Sequence, residues 1–409
     1  MRKEERRAEF NLPRVYPITI GFDTKRHHVM KKILVVQLSL QPPGGGNVVA
    51  AWVIEALKQE HVVSVLTWTP IDLAQINHYC GTSLCESDFT PLRVARTVRA
   101  LFRLLPAPLS LLKTGILLRL AKQITKNYEL CISINNEADF GHPGIQYVHF
   151  PWAYQPRPPV DLRWYHGVAA VVTLYYWSCV RVAKFSFAHM QQNLTLVNSD
   201  WTGGKVRERH NIDSMTLYPP VPGVFPETSW NERENGFVCI GRIAPEKELE
   251  KVIDVLAAVR AQGHDVHLHI IGTSDNPQYY ARIRRRAQNL ADWLFLEENL
   301  SRAELVQMVA RHRYGIHGMK EEHFGMAVAE MVRAGCIVFV PRGGGQTEIV
   351  GTEERLLYET ATEAVTKIVR TLSDEDEQAD LRAYLSTRKE LFSTERFVQQ
   401  IRTIVREFA

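Results

Sequence analysis

Two carboxylates, Glu322 and Glu330, stand eight residues apart in the segment Glu322-His323-Phe324-Gly325-Met326-Ala327-Val328-Ala329-Glu330. The pattern puts Glu322 in a loop and Glu330 on the second turn of a helix that opens near Gly325. The first turn of such a helix offers unpaired N–H groups and the positive end of the helix dipole. That geometry suits a diphosphate. The two carboxylates can then accept hydrogen bonds from hydroxyls on either side of it, as a sugar ring and a ribose would supply. A plain solvated helix face accounts poorly for Glu330, because the residues around it are apolar and a charge among them needs a partner.

A basic pair follows another strand, in Gly241-Arg242-Ile243-Ala244-Pro245-Glu246-Lys247. Arg242 can fork two phosphate oxygens and Lys247 adds a point charge. Both would stabilise a diphosphate as it leaves. Cations at a helix start oppose the dipole, so their presence points to an anion. A third candidate is the run Gly44-Gly45-Gly46-Asn47 after the first strand, where missing side chains let backbone approach a ligand closely. A fourth is His149, at a strand end before Phe150-Pro151-Trp152. Ser199-Asp200-Trp201-Thr202 reads foremost as a helix cap.

Two strand–helix series position these residues. The first runs through strands at Ile33–Leu38, Val62–Leu66, Leu130–Ile134 and Gln146–His149, with a helix over Val48–Leu57. The second has strands at Gly236–Ile240, Val266–Ile271, Leu294–Leu296, Gly315–Gly318 and Cys336–Pro341. Its helices are expected over Glu246–Ala261, Pro277–Leu290, Arg302–Arg311 and Gly325–Ala334. Alternation of this kind implies parallel sheets with helices on both faces. The expected class is α/β, with two doubly wound, Rossmann-like domains facing across a cleft. The domain boundaries read as an extension over 1–29, a first domain over 30–217, a proline-rich linker over 218–235 and a second domain over 236–375. Helices over 376–409 are expected to return to the first domain.

The Glu322–Glu330 segment resembles the E-x7-E signature of retaining GT-B glycosyltransferases, specifically family 4. Gly335-Cys336 through Gly343-Gly344-Gly345-Gln346-Thr347-Glu348 is similar to that family's continuation. Within the family, four segments resemble the eukaryotic α-1,2-mannosyltransferases of dolichol-linked oligosaccharide synthesis. These are Tyr147-Val148-His149-Phe150-Pro151, Val197-Asn198-Ser199-Asp200-Trp201-Thr202, Tyr218-Pro219-Pro220, and His317 with Glu322-His323-Phe324-Gly325. The likeness spans roughly residues 33 to 350.

The resemblance implies a donor diphosphate on Arg242, Lys247 and the amides at Phe324–Gly325, with Gly241 at the preceding turn and His323 beside them. It implies a ribose on Glu330, and a donor sugar on Glu322 and Gly344–Gly345, close to His149. Gly44, Gly45 and Gly46 would lie near the phosphate and the acceptor. His149, Glu322, Arg242 and Lys247 are the expected catalytic set. The implied donor is a nucleotide-diphosphate sugar, GDP-mannose favoured over a UDP-sugar. The implied acceptor is a glycan or a lipid-linked glycan. No cofactor or metal is expected, since no D-x-D element follows a strand in a suitable loop. The competing reading is a non-catalytic nucleotide-sugar-binding module or a scaffold partner of a transferase.

Composition agrees with a globular enzyme of more than one domain: 409 residues, 45% hydrophobic and 23% charged. A net charge of +4 excludes nucleic-acid binding by the molecule as a whole. The six cysteines form no C-x-x-C pair, which speaks against a zinc or redox site. Cys131, Cys239 and Cys336 sit in apolar runs that read as buried strands, and the expected setting is reducing and cytoplasmic. Arg96, Arg99 and Arg103 share one helical face among leucines. They read either as a peripheral contact with an anionic membrane at the cytosolic face or as a solvated face.

Overall fold

The computed structural model describes residues 30–42, 44–104, 109–152, 154, 169–274 and 276–408; the extension over 1–29 lies outside them. Thirteen strands are described: β1 Lys32–Val36, β2 Val62–Thr67, β3 Phe89–Arg93, β4 Leu130–Ser133, β5 Ile145–Val148, β6 Leu194–Val197, β7 Met215–Thr216, β8 Glu234–Ile240, β9 His267–Ile271, β10 Leu294–Glu297, β11 His312–Ile316, β12 Ile337–Pro341 and β13 Leu357–Tyr358. They form two wholly parallel sheets. The first has the order β3-β2-β1-β4-β5-β6-β7 and the second β10-β9-β8-β11-β12-β13. The α/β, two-sheet class read from the sequence is therefore the observed one.

Strands such as Ile33-Leu34-Val35-Val36 are buried throughout, because helices cover both faces of a parallel sheet. Four strands escaped sequence reading: β3, β6, β7 and β13. β3 contains Pro91, which is tolerated because β3 is a sheet edge and needs one ladder fewer. β7 and β13 have only two residues each, too few for any periodicity.

Two differences bear on the site. Gly45 and Gly46 are not loop residues but the first turn of the helix Gly45–Leu57, with Gly44 at its N-cap at φ 145°. Lys247 does not open the helix expected from Glu246. It closes a separate 3₁₀ turn, Pro245–Lys247, and Glu248 at φ 50° resets the chain before the helix Leu249–Ala261. Lys247 thus stands before the helix rather than in its first turn.

The C-terminal helix, Thr394–Phe408, joins the core of the first sheet. Phe397, Ile401, Ile404 and Val405 pack with Ile54 and Leu57. Arg402 Nε donates to the Ala56 carbonyl at 2.7 Å, and Arg406 reaches Glu60 at 3.1 Å. A second link joins the domains near the cleft. The Glu348 carboxylate accepts from the backbone N–H groups of Asp200 and Trp201, each at 2.8 Å, and from the Tyr218 hydroxyl at 3.1 Å. Burial pushes its carboxyl up to about 7, against the lowering by those backbone hydrogen bonds.

Ile401→Ala is expected to cost about 2–5 kcal/mol, the range for truncating a fully buried aliphatic side chain, read by denaturant unfolding. A raised carboxyl pKa means that the folded state holds a proton the unfolded chain has released. Wild-type stability therefore falls as pH rises from the ordinary glutamate range toward 7. Glu348→Gln removes that slope. Its stability relative to wild type should climb across this window by up to about 3 kcal/mol. Parallel pH profiles in the two proteins would contradict the assignment.

Candidate active site

The site lies at the C-terminal ends of the second sheet's strands. Just past β11, the buried His317 brings Nε2 to 3.3 Å from a Glu322 carboxylate oxygen. Lys247, just past β8, forms an ion pair with the same carboxylate. Burial by itself would raise the Glu322 carboxyl. The Lys247 charge and the His317 contact outweigh that and hold the group well below the usual carboxylate range. Burial lowers the His317 pKa, with Glu322 pulling the other way. The result is an ionised carboxylate held between an ammonium and an imidazole.

Glycines make this packing sterically possible. A Cβ on Gly344 would come within 2.5 Å of the Glu322 carbonyl oxygen. One on Gly345 would meet the His323 carbonyl oxygen at 2.4 Å. The Gly345 N–H donates to the Glu322 carbonyl at 2.7 Å. The turn over 343–345 therefore lies flat against the chain bearing Glu322 and His323. Gln346 is buried behind it and donates to the carbonyls of Met319 and Lys320 at 3.0 and 2.8 Å. Gly325 caps the helix Met326–Arg333 at φ 106°, a backbone region that favours glycine.

The first domain meets this wall directly. A Cβ on Gly45 would lie 3.2 Å from Met326 Cγ, and one on Gly46 would lie 3.0 Å from His149 Nε2. His149 follows β5 and places Nε2 2.9 Å from the Ile134 carbonyl, which can only accept. The ring proton is therefore on Nε2 and the lone pair on Nδ1. Burial lowers its pKa to about 4, so the ring is neutral near pH 7. The His323 ring stacks on Phe150 at 4.2 Å between centroids, with Trp201 at 6.0 Å. Its carbonyl accepts from the Ser199 hydroxyl at 2.6 Å. Ser199 also caps the helix Asp200–His210, accepting from the Thr202 N–H at 3.1 Å. One hydroxyl thus serves as a helix cap and as a bond between domains.

The sequence candidates do not form a single hydrogen-bonded set. Lys247 and Glu322 are paired. Arg242 is half exposed and reaches Glu246 at 2.8 Å, one helical turn away in sequence. Glu330, on the second turn of its helix, is paired with Arg302. Gly241, at φ 151°, leaves room beside the Lys247 stem, whose Cε would lie 3.6 Å from a Cβ there. Phe324 is buried against Tyr218 at 5.8 Å.

Arg302, His317, Gln346 and Glu348 are site residues that the sequence reading left unassigned. His317 carried a signal as a histidine just beyond a strand on the carboxyl edge of a doubly wound sheet, and Gln346 and Glu348 lay in the segment similar to the family's continuation, whereas Arg302 carried none. Arg96, Arg99 and Arg103 are on the helix Arg96–Arg103, away from these contacts. Arg96 and Arg103 are exposed, whereas Arg99 folds back and donates to the Val94 carbonyl at 3.0 Å. The three arginines therefore do not present one uniform free face.

Residues 224–388 match the family model of the glycosyl transferases group 1. A Candida glabrata GDP-Man:Man(3)GlcNAc(2)-PP-Dol alpha-1,2-mannosyltransferase is 24% identical over 230 residues, covering 50% of this chain and 44% of that protein. The Mus musculus protein of the same description is 27% identical over 171 residues, covering 37% and 35%. The chain thus spans less than half the length of these relatives. Among solved structures, Anabaena HepE in complex with UDP superposes with a TM-score of 0.65 at 16% identity, over 92% of this chain and all of that one. WaaG, a glycosyltransferase involved in lipopolysaccharide biosynthesis, gives 0.61 at 13%, covering 90% and 99%. Both resemblances are of fold, and the fold is GT-B. The sequence match covers the domain that carries Lys247, Glu322 and the glycine turn, and over that domain the chain is similar to the glycosyl transferases group 1.

Proposed function

We propose that this chain is a retaining glycosyltransferase of family 4. It moves a hexose, mannose favoured, from a nucleotide-diphosphate sugar to a glycan or lipid-linked acceptor. The observation that carries the reading is the Lys247–Glu322–His317 contact, set against the Gly343–Gly345 turn. In this reading Glu322 accepts from hydroxyls of the donor sugar. Lys247, Arg242 and the N–H groups at the start of the helix Met326–Arg333 take the diphosphate. GDP-mannose is the favoured donor because the sequence relatives carry that nucleotide in their description. A UDP-sugar remains the competing donor, since a fold neighbour was solved with UDP.

Transfer breaks the bond between the anomeric carbon and the phosphate oxygen. The acceptor oxygen bonds to that carbon on the same face, and the departing phosphate oxygen takes the acceptor proton. Positive charge from Lys247 and Arg242 meets the charge developing on the diphosphate, so the reading requires no metal. Neutral His149 offers Nδ1 as an acceptor beside the reacting carbon. Glu330, held by Arg302, is the group proposed for the ribose.

A cavity of about 350 Å³ in the first domain supports an acceptor that is partly apolar. Leu111, Leu118, Val180 and Phe185 line it together with Asn135 and Asn136, and it reaches His323. Exposed apolar side chains accompany it: Leu101 and Leu104 beside the arginines, and Val171, Leu174 and Trp177 on the helix Ala169–Ala183. They support docking at a membrane that carries a lipid-linked acceptor. Among the described residues no helix is long and apolar enough to cross a membrane.

With GDP-mannose and UDP-sugars offered in turn, only the true donor should raise the melting temperature and undergo slow hydrolysis. Lys247→Ala should lower kcat/KM by on the order of 10²–10³, the scale of one lost charge-stabilising donor. NMR of the product should show the donor's anomeric configuration. A protein that binds nucleotide sugar yet neither hydrolyses nor transfers it is a binding module, and inversion would reject the retaining assignment. Sedimentation with anionic liposomes should fall as salt rises, with Arg96 and Arg103 each worth about 1 kcal/mol. Equal binding to neutral vesicles, or none to either, would remove the membrane from the proposal.

A further inference from the structure

At the opposite end of the second sheet from Lys247 and Glu322, three adjacent strands begin with potential metal ligands. Glu234 opens β8, His267 opens β9 and His312 opens β11. Because the sheet order is β9-β8-β11, these residues converge. His269 lies two residues beyond His267, so both project from the same face of β9. The register pairs Glu234 with His312 and Gly236 with His267, which puts all four ligand positions on one face.

The distances have the proportions of a coordination shell. His267 Nε2 and His312 Nε2 are 3.1 Å apart. Glu234 Oε2 lies 3.3 Å from the first and 3.6 Å from the second. A nitrogen of His269 completes a set whose ligand atoms all lie within 4.8 Å of one another. With bonds of about 2.0–2.1 Å to nitrogen, a tetrahedral zinc ion holds its ligand atoms about 3.3 Å apart. The three measured edges bracket that value.

The surroundings orient the ligands inward. His312 Nδ1 is 2.7 Å from the Met308 carbonyl, so it carries the proton and leaves the Nε2 lone pair facing the cluster. His269 Nδ1 is 2.9 Å from Glu297, which turns its Nε2 free in the same way. A carboxylate or carbonyl behind a ligand imidazole is the usual second layer of a zinc site. Arg311 Nε holds Glu234 Oε1 at 3.0 Å, leaving Oε2 toward the histidines. Gly236 makes the cluster possible, since a Cβ there would lie 2.2 Å from His267 Nε2. An open cavity of about 400 Å³, lined by Glu234, His267 and His269 along with Asp265 and Asp292, gives an ion a way in. Arg260 also borders that cavity, with its charge met by Asp265 at 3.0 Å and Asp292 at 3.7 Å.

We propose that Glu234, His267, His269 and His312 bind one zinc-class divalent cation that staples the starts of three strands of the second domain. Imidazole-rich sites with one carboxylate suit zinc over magnesium or calcium, which prefer all-oxygen shells. The role is structural, because the site lies at the other end of the strands from the sugar-nucleotide wall. The sequence offered no local motif for it, since its ligands come from three separate strands.

The test uses the full chain without a histidine tag, stripped with chelator and titrated with zinc chloride by calorimetry. One equivalent should bind, and the melting temperature should rise with free zinc. Cobalt(II) should develop the visible bands of a tetrahedral site. His267→Gln with His269→Gln should abolish saturable binding. Because those changes touch ligands directly, Glu297→Gln provides a milder variant, expected to weaken zinc at least about tenfold while leaving the apo protein folded by circular dichroism. Magnesium should not compete. Absence of stoichiometric binding in the wild type, or unchanged binding in both variants, would overturn the site and leave a hydrogen-bonded histidine network. Neither result bears on sugar transfer, which is read separately.

Discussion

A carboxylate withdrawn from water must be met by positive charge or hydrogen-bond donors, and much of the second domain's upper edge follows from meeting that requirement for Glu322. Lys247 and His317 both converge on it. For Lys247 to arrive there, Pro245–Lys247 must close as its own turn and Glu248 must take a left-handed conformation. Gly318 lets the chain pass within 2.5 Å of the Lys247 carbonyl, measured from where a Cβ would stand. A charge pair taken from water gains stability only where its geometry is well satisfied. In the proposed function its value is preorganisation: an ammonium and a carboxylate held at fixed positions ahead of the donor.

The same wall carries the contacts between domains. The His323 carbonyl accepts from Ser199, its ring stacks on Phe150, and Glu348 satisfies two N–H groups at the start of the helix Asp200–His210. These are capping interactions that any helix start requires, but here a neighbouring domain supplies one of them. Elements that bear the candidate ligand groups are therefore also the elements that hold the cleft in this form. The second anchor, the helix Thr394–Phe408, packs its apolar face on the first sheet's helix Gly45–Leu57, with Arg402 and Arg406 bonded to Ala56 and Glu60 at its edge. The first connection is polar and sits at the site, whereas the second is mainly core packing with a polar margin.

A parallel sheet has chemically distinct ends. Its carboxyl edge gathers loops and helix starts, where anions are favoured. The amino edge of the second sheet instead collects Glu234 and three histidines, the group proposed to take a cation. The two ends can differ so sharply because the strands between them, such as Phe237–Ile240, are buried and apolar.

What the sequence determined by itself was local. Runs of Val, Ile and Leu marked the central strands, apolar periodicity marked the long helices, and Gly325 and Gly343–Gly345 marked turns whose tightness only glycine permits. These depend on neighbours within a few residues, so the α/β class and the loop position of Glu322 were legible. Edge strands without periodicity, such as β3 and β13, were not. Charge partners were decided by tertiary structure. Glu330 was legible as a carboxylate in need of a partner, but nothing near it in sequence pointed to Arg302. Arg242 and Lys247 read as a pair, yet one turned toward Glu246 and the other toward Glu322. The reason is physical: an ion pair or a ligand cluster requires side-chain ends within a few ångströms, and the order of strands in the sheet, not their order in the chain, brings those ends together.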